Sequence, residues 1–549
     1  MQWKRPPTSL EHVPSLAAGG LLGRYLCDPE FARRFYGAHP GDLGDLRRRV
    51  QLLGERPYPR GELASILRRQ NAAWGMSGET EQQIALLERG AFCVFTGQQT
   101  GLFTGPLYTV YKALSTVRWA RHLSAVLSVP VVPVFWLAAD DHDLGEIDHA
   151  VLFDGAGQPQ TLRHEMTIDG DLPRISRLRF GQDIGRWLDD ALGVLPEGPG
   201  RDEVREALTV AYQPGRSWAD AFGCLMARWL GKFGLILVTP DDRRLKRLMA
   251  PVFLREIRDP EGSRRAVEER DEKIRRAGYR PQVGITGSGT LLFLDDEAGA
   301  RRRIDIDGDR FTWAGGDARL SRDEMEELLD EQPERFSAGA LLRSVSGDAV
   351  FPTVAHVMGP GEIAYMAQAR VLYERHDLPM PLVVPRARFT IIPEEIEAIA
   401  REEGISLEDA FQPFDRWIGL LASQRTEREF GEVINACRRE LDAAYGRLEA
   451  AVGEGLPGMR NAATSARIKT QALMNKLERK IEQEMRRRER RREVSLRRIA
   501  DALYPTGSPQ ERVYAILPYI ARYGVALFDA VLDTIDVTNP DHRALWPEG

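Results

Sequence analysis

The chain is poor in several things that would have narrowed its class quickly. Its 549 residues hold only four cysteines, Cys27, Cys93, Cys224 and Cys437. They lie far apart, so neither a disulfide framework nor paired metal-ligand spacing is present, and a reducing compartment is implied. No window reaches 18 uncharged apolar residues, which argues against a membrane-spanning helix. The opening MQWKRPPTSLEHV has no apolar stretch of the signal-peptide kind, so a cytoplasmic protein is expected. No repeat recurs at a solenoid period. A formal net charge of −6 removes the electrostatic footprint of a general nucleic-acid binder.

What is present is ordinary globular material, 43% hydrophobic and 28% charged. The length implies more than one core. After a helical first 90 residues, strand and helix signals alternate. CVF at 93–95, PVVPVFWLA at 130–138, GLILVT at 234–239 and PLVVP at 381–385 are near-continuous apolar runs. Such runs suit strands covered on both faces, as in a parallel sheet with helices between the strands. Residues 282–314 alternate and turn at Gly and Asp, which predicts a small β-meander inserted near 275–320.

Past about residue 390 the strand signals stop. Ile434, Cys437, Leu441, Ala444, Leu448 and Ala451 step by 3 and 4, the heptad spacing of a helix seam. GEGLPG at 453–458 breaks the run. A second helix is predicted over about 461–502, with Met474, Leu477, Ile481 and Met485 on one face. The expectation is an α/β core over 1–390 and an α-helical coiled-coil domain with a C-terminal segment over 391–549. The two long helices form an antiparallel hairpin in this reading, and its apolar face supports a homodimer. The arginine run at 486–492 reads as a solvated helix face opposite Glu427, Glu429, Glu432 and Glu440.

Chemistry-bearing residues collect where apolar strands end. In CVFTGQQTGLFTGPLYTVYKA (93–113), Thr96, Gly97, Gln98, Gln99, Gly101 and Gly105 form a strand-to-helix turn, with Tyr108 and Lys112 in the helix behind it. Glycine-rich turns before a helix can cradle a phosphate on backbone N–H groups; the same glycines also suit a tight packed turn. In FWLAADDHDLGEIDHA (135–150), Asp140, Asp141, His142 and Asp143 follow a buried strand, with Glu146, Asp148 and His149 behind. The cluster suits a divalent cation, or an amine whose proton must be moved, or a solvated capping loop. Gly359-Pro360-Gly361-Glu362 opens a helix holding Tyr365, and His356 on the preceding strand reads as a core histidine. Arg386 and Arg388 follow another strand and suit a carboxylate or phosphate, or a structural ion pair.

Together these stretches carry a resemblance. TGQQTGLFTGPLYTVYK (96–112), FWLAADDHD (135–143), GPGEIAY (359–365), PRARFT (385–390) and PTGSPQERVYAILPYIARYG (505–524) stand in the order seen in the bacillithiol biosynthesis cysteine-adding enzyme family, which the chain resembles over nearly its whole length. The resemblance implies a Rossmann-like core related to nucleotidyltransferases, with inserted connecting subdomains and a coiled-coil domain that supports dimers. It implies an amide-forming ligase that joins the carboxyl of cysteine to the amine of glucosaminyl-malate. The chain departs from the family pattern at Asp140, where glutamate is common, and at Met358, where glycine is common. It also lacks the Arg-Pro and Gln-Asp pairs expected within 341–353, and no HIGH-like or KMSKS-like signature is present.

Under that resemblance, the catalytic candidates are Asp141, His142, Asp143 and Glu362. Thr96 to Gly105, Tyr108, Lys112, Gly359, Gly361, Tyr365 and Arg386 are the substrate- and nucleotide-binding candidates. Tyr504, Gln510 and Arg512 form a second possible nucleotide site. ATP, with magnesium, is the expected activator; no flavin, haem or structural metal is expected. The alternative is a coiled-coil scaffold or nucleotide-binding regulator whose core is not catalytic.

Overall fold

The structure is a computed structural model that describes residues 21–141, 143–166, 173–285, 287–313, 319–416 and 427–547. The apolar runs become the strands of one sheet: β1 (Phe92–Gln98), β2 (Val131–Leu137), β3 (Ile236–Val238), β4 (Thr353–Met358) and β5 (Leu382–Pro385). All pair in parallel, in the order β5-β4-β1-β2-β3. Every residue of β2 is buried, as a strand covered on both faces requires. Pro133 is tolerated there because β3 pairs only with Val134 to Trp136, which leaves no ladder partner beside Pro133 on that side.

Helix α1 (Leu107–Leu127) follows β1, α2 (Arg243–Arg258) follows β3, and α3 (Pro360–Arg375) joins β4 to β5. The strand order reverses between β1 and β4, because the chain leaves β1 toward β2 on one side and returns to β4 on the other. In open parallel sheets, ligands bind outside the carboxyl ends of the strands at such a reversal. The expected meander is present: strands Gly289–Asp295, Arg301–Asp307 and Arg310–Trp313 pair antiparallel, and Phe336–Ala338 adds a fourth edge.

By its internal contacts the chain divides into Met1–Ile392 with Gln510–Gly549, and Pro393–Pro509. The C-terminal segment, expected with the helical domain, packs with the core by these contacts. The reason is a strand, His542–Leu545, that pairs in parallel with Arg388–Ile391. The Gln510 side chain adds to this by bonding both the amide and the carbonyl of Ile391 at 2.8 Å.

In the second unit, α4 (Glu427–Gly455) and α5 (Arg460–Leu503) pack against each other. Their seam differs from the heptad reading. Cys437 and Leu448 are exposed, whereas Asp442 bonds Gln471 at 2.7 Å and Tyr445 bonds Thr470 at 2.7 Å. Polar pairs one position along took the inward places, because Tyr445 can bury its ring and still satisfy its hydroxyl. Of the arginine run, Arg492 pairs with Glu403 of helix Glu394–Glu403 at 3.2 Å.

Candidate active site

At the carboxyl ends of β1 and β4 lies a cavity of about 460 Å³, within the usual size range of a small-molecule site. β1 and its turn contribute Thr96, Gly97, Gln98 and Gln99, and α1 contributes Tyr108 and Lys112. The first turns of α3 contribute Gly359, Gly361, Glu362 and Tyr365. Arg386 enters from beyond β5 and Arg512 from the C-terminal segment. Residues quoted from stretches nearly 400 positions apart thus line one space.

The buried ammonium of Lys112 organises the floor. Its Nζ donates to the Gly97 carbonyl at 2.8 Å and to Gln98 Oε1 at 3.0 Å, and pairs with Glu362 at 2.6 Å. Three donors are thereby used, so the lysine ties the β1 turn to α3. Burial pulls its pKa below the usual lysine value, and the Glu362 charge opposes that pull. Glu362 also accepts from the Gly359 N–H at 2.8 Å, capping α3. Gln98 donates to the Tyr108 hydroxyl at 3.1 Å.

The glycine turn departs from the phosphate-cradle expectation beyond Gln99. Gly101 and Gly105 do not line the cavity. The Gly101 N–H bonds Gln99, Leu102 bonds Ile147, Phe103 bonds the Tyr212 hydroxyl and Gly105 bonds Leu102. These amides are consumed inside the protein around the buried side chains of Leu102 and Phe103. Gly105 has φ 71°, and a Cβ on Gly101 would stand 3.1 Å from Gly105 Cα. Tight packing accounts for both glycines.

Arg386 is likewise engaged. Its guanidinium forks onto the Glu511 carboxylate at 2.7 and 2.8 Å, with both side chains buried. Burial works against the charge, but Glu511 prevails and holds the arginine pKa above its ordinary value.

Of the acidic cluster, Asp141 lies outside the lining and pairs with Arg301 and Arg343, each at 3.3 Å. Asp143 is exposed, and His142 lies outside the described residues. Asp140 pairs with Lys246 at 3.2 Å in a buried position. Asp148 is held by Arg163 and, at 3.0 Å, by His149. Among the described residues no three of His, Cys, Asp and Glu come together as a metal site. Tyr504 belongs to the second unit, and Gln510 is spent on Ile391.

Trp136, Glu146, Arg343 and His356 also line the cavity, although the site candidates did not include them. Glu146 has its pKa raised, first by burial and then by the charge of Asp143. It stands in the acidic stretch three positions past Asp143, which was the available signal. The other three carry no local signal, because their facing partners are distant in sequence.

The cavity therefore presents carboxylates, Glu362 and Glu146, that suit an ammonium. It also presents positive groups that suit an anion: Arg512, Arg343, and the N-terminal turn of the 16-residue helix α3.

Comparison with known proteins settles the lineage. The family model described as "Bacillithiol biosynthesis BshC, N-terminal Rossmann-like domain" matches residues 9–387, and "Bacillithiol biosynthesis BshC, C-terminal coiled-coil domain" matches 389–545. The chain belongs to the BshC family. A relative from Koribacter versatilis named "Putative cysteine ligase BshC" is 33% identical, over 89% of this chain and 90% of its own length. One of the same name from Salinibacter ruber is 32% identical over 99% and 98%. Another, from Bacillus thuringiensis, is 28% identical over 91% and 93%. The BshC family thus accounts for the Rossmann-like core and the coiled-coil domain. Among the described residues no helix is long and apolar enough to cross a membrane.

Proposed function

We propose that this chain is the cysteine-adding ligase of bacillithiol formation, joining the cysteine carboxyl to the amine of glucosaminyl-malate. The observation that carries the reading is the full-length family match, with a mixed-charge cavity at the strand-order reversal of the core. Both substrates are zwitterionic or polyanionic, and the cavity offers partners of both signs.

A carboxylate does not acylate an amine in neutral water, because oxide is too poor a leaving group. The carboxyl must first be activated, and in this reading ATP with magnesium supplies an acyl-adenylate or acyl-phosphate. The nucleotidyltransferase-like layout of the core and the antiparallel reading of the arm belong to the same proposal. The α3 N-terminus and Arg512 suit phosphate or the malate carboxylates. A side chain at Gly361 would meet no atom within 4 Å, so there is open room beside that helix turn. Glu362 and Tyr365 orient the amine, while Thr96 to Gln99 and Lys112 form the rigid floor. A homodimer through the arm is part of the same reading, supported by Ile468, Leu473 and Leu477, which are 59%, 67% and 52% exposed; light scattering reads that state directly.

The test is a mass-spectrometric turnover assay of the purified protein with glucosaminyl-malate, cysteine, magnesium and ATP. Amide product with stoichiometric AMP establishes an adenylating ligase, and ADP establishes an acyl phosphate. Product without nucleotide cleavage removes the ATP step. Absence of product with intact substrates removes the ligase reading.

A further inference from the structure

His356, on the buried strand β4, lines the cavity although it is only 4% exposed. Its Nε2 meets the two carboxylate oxygens of Asp348 at 3.1 and 2.9 Å. Asp348 closes the helix Ala340–Asp348 and also accepts the Tyr373 hydroxyl at 2.5 Å. Phe95 packs edge-on against the imidazole, with ring centroids 5.5 Å apart. A carboxylate at Nε2 fixes the neutral ring's hydrogen there and leaves the lone pair on Nδ1. Among the described residues, Nδ1 has no hydrogen-bond partner.

A buried histidine held by a carboxylate is commonly a packing element. This one differs in its place, since the ring forms part of the cavity wall with one nitrogen uncommitted. The arrangement has the order of a proton acceptor, an orienting carboxylate and a group that steadies the carboxylate.

We propose that His356 is the base of this site, taking the proton of the attacking amine through Nδ1, with Asp348 and Tyr373 as positioning residues. The proposal rests on the ligase reading above. In the step, the substrate ammonium gives one proton to Nδ1, which leaves a neutral amine and an imidazolium. No other bond changes, and the new cation sits against the Asp348 carboxylate. Asp141 is less suited, because its carboxylate is already bonded by Arg301 and Arg343.

The charged and titratable groups around the imidazole come from every neighbouring element. Arg343 shares the helix of Asp348, Tyr365 and Tyr373 lie on α3, and Lys112 and Glu362 line the same cavity. Arg49, Tyr58 and Cys93 lie within the field of the Asp348 carboxylate.

The experiment measures amide formation by full-length wild type, His356→Gln and Tyr373→Phe across neutral to alkaline pH, with thermal melting of each. The expected result for His356→Gln is a fall in kcat of about 10²–10⁴-fold near neutrality, with KM for the amine little changed. The deficit should shrink as pH rises past the amine's own pKa, because the amine then arrives unprotonated. Tyr373→Phe removes one hydrogen bond from Asp348 and makes that carboxylate more basic. Its acid limb in the kcat profile should move to higher pH. A folded His356→Gln with undiminished kcat, or with the same deficit at every pH, overturns the proposal. If His356→Gln does not fold, an unmoved limb in Tyr373→Phe overturns it instead. A wild type that forms no amide removes the ligase reading, and this proposal with it.

Discussion

Arg386 and Glu511 form a two-pronged ion pair, with Nη1 to Oε2 at 2.8 Å and Nη2 to Oε1 at 2.7 Å. The side chains are 4% and 5% exposed. The pair joins the end of β5 to the C-terminal segment, so a residue that suits ligand carboxylates is already held by a protein carboxylate. Glu511→Ala strands the guanidinium and should destabilise the protein by about 3–5 kcal/mol. Denaturant midpoints check this. The double change Arg386→Met with Glu511→Leu should recover most of the loss, since it removes both buried charges.

His542 predicts an acid limit to stability. Burial first, offset in part by Glu511, pushes its pKa from 6.5 down to about 4. The unfolded chain therefore takes up a proton below pH 6.5 that the folded chain refuses until about pH 4. Stability should fall as pH drops through that window, by up to about 3 kcal/mol from this group. Unfolding free energies of wild type and His542→Asn across the window test it. The variant should show the shallower slope.

Gly97→Ala should be costly although the backbone there is ordinary strand. Its Cβ would stand 3.0 Å from both Cβ and O of Trp136, and the backbone oxygen cannot rotate away. The expected loss is about 1–3 kcal/mol, read as a lower melting temperature. Activity should fall as well, since the Gly97 carbonyl anchors Lys112.

The sheet was legible in the sequence because its strands are continuous apolar runs, which suit strands covered on both faces. Much of the cavity was legible because Thr96 to Gln99, Glu362 and Arg386 follow such runs directly. Other features depend on partners that local sequence does not reveal. Glu511 stands 125 positions from Arg386, and nothing in PRARFT announces it. The amides of the glycine turn go to Ile147 and Tyr212, which turns a candidate phosphate cradle into a packed corner. The arm's 3-4 spacing placed only part of the seam, because Asp442 and Tyr445 make half-buried polar pairs beside it. His356 reads as core in sequence because its Asp348 partner and the cavity are assembled only by the fold.

The central claim is that amide formation takes place in the cavity between β1 and β4. Gly361 lines that cavity in the first turn of α3, and a side chain there projects into open space. The direct measurement is therefore the turnover of Gly361→Trp with cysteine, glucosaminyl-malate, ATP and magnesium, beside its melting temperature. The account predicts loss of at least about 100-fold in kcat/KM, equivalent to roughly 2.7 kcal/mol, with melting unchanged. Wild-type turnover by a folded Gly361→Trp would contradict it and move the chemistry elsewhere.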